Sequence, residues 1–213
     1  MESELFGGQA VIHFKDETTR RSFLRTAALV GVGATLAGGA TTAFAAGPEM
    51  ASQFGDGDVG VLNYALTLEY LEADFYAQGT AKDFLGDNKK YLTPIAQHEA
   101  AHVQAILGTL QKLGATPAAK PTFKYPDGTF TDAMTFLKTA NTFEETGVKA
   151  YHGQVPLIKD GAILGAAASI AGVESRHAAV LNLILKQKFV PAPVEAHASM
   201  DEVVAAVKPF LGA

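Results

Sequence analysis

The pattern Glu-x-x-His occurs twice in this chain, at Glu99 to His102 and at Glu174 to His177, and the copies stand 75 residues apart. The same shift carries Glu69 onto Glu144 and Tyr76 onto Tyr151. Each half therefore reads Glu, a Tyr seven later, a second Glu thirty after the first, and a His three beyond it. With six histidines in 213 residues, composition alone gives about 0.3 Glu-x-x-His matches, so two copies sharing upstream residues at one offset mark an internal repeat. Residues three apart lie on one face of a helix, so each Glu-x-x-His pair can grip a single ion. A fold for this chain must bring the two pairs together.

The surrounding apolar residues recur at helical spacing. A first helix is expected over about 57–78, with Leu62, Leu66, Ala73 and Tyr76 on one stripe. A second is expected from Thr93, as N-cap before Pro94, to about Leu113, where Gly114 stops it; Ile95, Ile106, Leu110 and Leu113 would form its inner face. Three prolines and Asp127-Gly128 make 114–130 a long ordered connection. A third helix spans about 131–151 and a fourth about 160–188, ended by Pro191 and Pro193. Ser199 and Glu202 form a capping box for a short last helix over 200–211. The expected fold is all-α: a four-helix bundle with a long crossover between helices two and three and a short C-terminal helix.

Composition narrows the chemistry. The chain has no cysteine, which excludes a disulfide scaffold, a thiolate zinc site, an iron–sulfur cluster and a cysteine nucleophile. Any metal must be held by His, Asp or Glu. A net charge of −5 without a basic stripe argues against nucleic acid as a partner. Glu69, Glu99, Glu144 and Glu174, with His102 and His177, all fall within the apolar stripes. Four carboxylates buried together need counter-charge or protons. Two divalent cations supply that charge, in the arrangement of ferritin-like di-metal bundles. Carboxylate with imidazole suits iron first, with manganese or a mixed pair also compatible.

The N-terminus reads as an address. Thr19-Arg20-Arg21-Ser22-Phe23-Leu24-Arg25 precedes an uncharged stretch rich in Ala, Gly and Thr, which ends in Ala43-Phe44-Ala45. This is the build of an export signal, and the paired arginines resemble a twin-arginine signal. Its glycines and threonines make a poor bilayer span. The expected organisation is a signal over 1–45 cleaved near Ala45, a linker over 46–56, a bundle over 57–190 and a tail over 191–213. The protein would then be periplasmic or otherwise extracytoplasmic, with the twin-arginine export machinery as a partner.

The segment Asn63-Tyr64-Ala65-Leu66-Thr67-Leu68-Glu69-Tyr70-Leu71-Glu72-Ala73-Asp74-Phe75-Tyr76, with Glu144-Glu145-Thr146-Gly147-Val148 and Ala150-Tyr151, resembles the ferritin-like di-metal carboxylate family often labelled desiccation-related. The resemblance covers about 57–188. It implies that Glu99 and Glu174 bridge two metals, while Glu69, Glu144, His102 and His177 are terminal ligands. It also places Tyr76 and Tyr151 beside the metals, where a phenol can hydrogen-bond a ligand or pass an electron. From the residues alone, both tyrosines fit equally well as core residues with a satisfied hydroxyl.

Glu72 and Glu145 pair with Gly147 and Tyr70 under the repeat, so solvated helix surface is expected for both; a place beside or instead of a ligand is the alternative for Glu72. His98 is expected to be exposed near the ligand helix, and His152 and His197 need no function. The function implied is an exported di-iron or di-manganese protein that oxidises Fe(II) or reduces O₂ or peroxide in stress protection. A non-catalytic metal buffer or structural desiccation-related protein on the same fold is the alternative, as is a bundle with an empty site and a partner-binding surface. A homodimer is compatible with the sequence.

Overall fold

The structure is a computed structural model and describes residues 53–212. The expected export signal over 1–45 and most of the expected linker lie outside the described residues. Four long helices, α1 (Gly57–Thr80), α2 (Lys89–Lys112), α3 (Ala133–Gln154) and α4 (Gly161–Ile184), precede a short α5 (Met200–Val207). Among the described residues the one β-type pairing is an isolated bridge between Phe123 and Leu211. The all-α bundle is therefore as the sequence predicts. No helix among the described residues is long and apolar enough to cross a membrane.

Local chemistry sets most of the helix ends. Asp132 caps α3 by accepting from Thr135 N, and Asp160 caps α4 by accepting from Ala162 N and Ile163 N. Ser199 and Glu202 close both halves of the capping box on α5. Gly114, at φ 65°, follows α2 in the left-handed conformation, with Gly114 N donating to Gln111 O and Ala115 N to Leu110 O.

Some expected details differ. α2 starts at Lys89, a turn before Thr93, after a 3₁₀ turn over Gly86–Asn88. Leu92 is fully buried, and the extra turn carries it inward; the Thr93 hydroxyl donates back to Lys89 O and caps nothing. Pro94 then lies inside the helix, on its exposed side, where water can serve the carbonyl whose donor it lacks. Leu113 points outward at 49% exposure because it caps the C-terminus of α2. α4 ends at Ile184, short of Lys188, because Lys186 takes the left-handed conformation at φ 57° and closes the same pair of reverse hydrogen bonds as Gly114.

α1 packs most extensively on α2, and α3 on α4. An aromatic cluster fastens one end of the bundle. The Phe75 ring stacks on Phe136 with centroids 4.2 Å apart and meets Phe143 edge-on at 5.0 Å. Gly79 lies against Phe136, and a Cβ there would collide with the ring. The crossover is pinned along α1. Asn63 donates to Phe54 O and Thr116 O and accepts from Ala118 N at 2.8 Å. Further on, Tyr125 and Lys120 both reach Asp74.

Asn63→Ala removes these links and orphans the Ala118 amide, so unfolding stability should fall by about 1–3 kcal/mol. Urea denaturation checks this, and no measurable loss would show that the crossover is held elsewhere.

Candidate metal centre

Glu69 lies midway along α1, Glu99 and His102 midway along α2, Glu144 on α3, and Glu174 and His177 on α4. The four glutamates have 0% exposure, and both histidines are buried. The bundle brings all six together. Glu69, Glu99, His102 and Glu174 offer ligand atoms within 4.8 Å of one another, and so do Glu99, Glu144, Glu174 and His177. Each set contains one lone glutamate and one histidine, and both share Glu99 and Glu174.

The 75-residue repeat is a spatial symmetry. His102 Nδ1 stands 3.3 Å from Glu69, 3.1 Å from Glu99 and 3.2 Å from Glu174. His177 Nδ1 stands 3.2 Å from Glu144 and 2.8 Å from Glu99. The tyrosines cross between halves: Tyr76 on α1 donates to Glu144 at 2.6 Å, and Tyr151 on α3 donates to Glu69. Each phenol therefore fixes the lone glutamate of the other half.

Some of the polar atoms satisfy one another, as His102 Nδ1 and Glu99 Oε2 do at 3.1 Å, but others do not. Glu69 Oε2, Glu99 Oε1, Glu144 Oε2, both oxygens of Glu174 and His177 Nδ1 are buried with no partner in hydrogen-bonding geometry. Buried polar groups are ordinarily paired, so such a set of orphans could hold a cation. The donor set, carboxylate oxygens with imidazole nitrogens from four helices, fits divalent metal ions.

Burial raises Glu69, Glu144 and Glu174 above the usual carboxylate range, and the neighbouring glutamates push the same way. Burial would lower the histidines, but the carboxylates around them win, holding His102 at about 12 and His177 at about 10. Glu99 is the exception. Burial pushes it up, yet His102 and His177 on either side bring it to about 2. Burial also raises both tyrosines, with Glu144 beside Tyr76 and Glu69 beside Tyr151 adding to it.

Two neighbours depart from the expectation, and a third meets it with an added contact. Glu72 is not solvated surface but 3% exposed, and burial with the charge of Glu174 raises it strongly. Its counterpart in the repeat is Gly147, and the two fit each other: a Cβ at Gly147 would lie 3.3 Å from Glu72 Oε1 and 3.0 Å from Glu174 Oε2. One half thus adds a fifth carboxylate, and the other removes a side chain to receive it. The signal was in the sequence, since Glu72 is three residues from Glu69 and shares its face. Glu145 is half-buried and accepts from Asn182 at 2.8 Å. His98 is exposed as expected, but its Nδ1 lies 2.9 Å from His177 Nε2 and the two rings stack at 13°. The repeat places Val173 opposite His98, so His102 has no equivalent support.

The ferritin-like domain pattern matches residues 57–187. The chain belongs to the ferritin-like domain family. No curated protein matches it. The matched span of this ferritin-like domain contains all four long helices and every residue of the cluster.

In the metal-free domain, the raised acids and histidines bind protons more tightly folded than unfolded. Stability held by the histidines is complete below their ordinary pKa of about 6.5 and is lost as pH climbs toward about 10 at His177. The raised glutamates lose theirs from about pH 4.3 upward. Glu99 runs the other way and matters only in acid. The melting temperature of the metal-free domain should therefore fall steadily from about pH 6 to about pH 9. A flat profile by scanning calorimetry would contradict the charge balance.

Proposed function

We propose that the cluster binds two divalent metal ions, iron first, with manganese or a mixed pair as the compatible substitutes. The carrying observation is the convergence of five carboxylate oxygens and one imidazole nitrogen that have no hydrogen-bond partner. Glu99 and Glu174 would bridge, being common to both ligand sets, while Glu69 with His102 and Glu144 with His177 would complete one site each. Two dications offset the four ligand carboxylates, and Glu72 stays neutral by holding its proton. Bound there, redox-active ions supply the electron transfer needed to oxidise Fe(II) or to reduce O₂ or peroxide.

The chain's own residues prepare that chemistry. The Tyr76 and Tyr151 hydroxyls orient Glu144 and Glu69, as outer-shell partners do for metal ligands. His98 orients the His177 ring through the nitrogen that faces away from the carboxylates. The four 0%-exposed glutamates keep bulk water from the reacting centre. The N-terminal arginine pair and Ala43-Phe44-Ala45 support a site of action outside the cytoplasm, reached through the twin-arginine machinery, and a part in stress protection fits such a place.

Anaerobic titration with Fe(II) should reach two ions per chain, release protons on loading, and give a new visible absorption when oxygen is admitted. The Glu99→Ala, Glu174→Ala double variant should bind fewer than one ion and lose the metal-dependent stabilisation, about 2.7 kcal/mol at a hundredfold excess over Kd in the parent. Binding of two ions with no consumption of oxygen or peroxide over many cycles would leave the buffering role. Binding of none would overturn the metal reading.

A further inference from the structure

The two halves of the cluster differ behind their histidines. His177 presents Nδ1 to Glu99 and Glu144, and its other nitrogen, Nε2, lies 2.9 Å from His98 Nδ1. The two rings stack with centroids 5.2 Å apart and 13° between their planes. Among the described residues, no hydrogen bond reaches His102 Nε2. The repeat puts Val173 where a second His98 would stand.

The nitrogens that face the carboxylates differ as well. His102 Nδ1 is hydrogen-bonded to Glu99 Oε2 at 3.1 Å, and a cation must break that bond to take the nitrogen. His177 Nδ1 is buried with no partner in hydrogen-bonding geometry, although Glu99 Oε1 stands 2.8 Å away. Exposure runs the same way, at 4% for His177 and 8% for His102.

Ligand chemistry gives these differences a sign. A histidine that offers Nδ1 to a cation carries its remaining proton on Nε2. At His177 that proton is donated to His98 Nδ1, so the tautomer and the ring orientation are set before an ion arrives. At His102 the ring must leave Glu99 and has no support behind it. Outer-shell partners of this kind are worth about 10–100-fold in metal affinity. The remaining features do not decide between the halves. Each lone glutamate has its tyrosine, and Glu72 lies beside Glu174, which both ligand sets share.

We propose that the two metal positions are unequal: the one built from Glu144 and His177 fills first and keeps its ion, and the one built from Glu69 and His102 fills second and exchanges its ion, with His98 as the positioning residue that sets the order. This rests on the two-metal reading and divides its ions into a resident one and an exchangeable one. The Glu69 and His102 position is then where Fe(II), as substrate, comes and goes.

The test titrates metal-free, full-length protein with Co(II) in the absence of oxygen, following the visible absorption of the bound ion and the heat of binding. Two steps of one ion each are expected, about 10–100-fold apart in Kd. Glu144→Ala should remove the tighter step, and Glu69→Ala the weaker one. His98 is exposed, so His98→Ala should keep the helical content and the weaker step while weakening the tighter step about 10–100-fold. His98→Asn, whose Oδ1 accepts in place of Nδ1, should restore the separation. The proposal falls if the parent binds two Co(II) ions with one affinity, if Glu69→Ala removes the tighter step, or if His98→Ala leaves that step unchanged. Each of those results would still show two bound ions and leave the two-metal reading standing. Binding of no Co(II) would overturn that reading, and this proposal with it.

Discussion

Five carboxyl groups meet in a space that water does not reach, and the rest of the bundle is arranged around that conflict. Glu69, Glu72, Glu99, Glu144 and Glu174 come from all four long helices and are buried to 3% exposure or less. Their mutual repulsion in a low-dielectric interior would separate the helices if nothing countered it. Protons, imidazolium or metal ions must supply the counter-charge, and the arrangement accepts all three. The carboxylates around His102 and His177 favour their charged forms, while several carboxylate oxygens lack partners and each ligand set offers atoms within 4.8 Å of one another. The aromatic cluster around Phe75 and Phe136 anchors the helices at one end, so the charged middle can be held without specifying the packing.

The symmetry of the centre makes its exceptions informative. The Tyr76 to Glu144 and Tyr151 to Glu69 bonds repeat in both halves, as do the contacts of each histidine with its carboxylates. The departures are Glu72 opposite Gly147 and His98 opposite Val173. Gly147 makes room for Glu72, and His98 supports only His177. The two halves therefore present unequal surroundings to whatever they bind, with an added carboxyl near Glu174 and an exposed imidazole leading to His177. A duplicated half-site has in this way acquired a sidedness.

The carboxylate and histidine cluster was readable from sequence because a helix converts spacing into direction. Glu99 and His102 must share a face whatever else the chain does, and the repeat identified the two glutamates on α1 and α3 that accompany them. Gly114 likewise announces the end of α2. Reading failed where tertiary packing decided. Burial of Leu92 extended α2 past the Thr93-Pro94 start, and Lys186 adopted a left-handed conformation that no lysine advertises. Glu72 was misjudged for a different reason. Comparing the halves position by position treats a glutamate opposite a glycine as a mismatch, whereas in space the pair is complementary. His98 shows the same limit, since its contact with His177 joins two helices 79 positions apart in sequence.

The claim on which the account rests is that Glu99 and Glu174 are held in common by two metal ions. The most direct measurement is anomalous diffraction from crystals of the metal-loaded protein, collected on either side of the iron edge. The account predicts two peaks about 3.5–4 Å apart, with Glu99 and Glu174 reaching both, Glu69 and His102 on one, and Glu144 and His177 on the other. A single peak, or peaks away from these six residues, would contradict it.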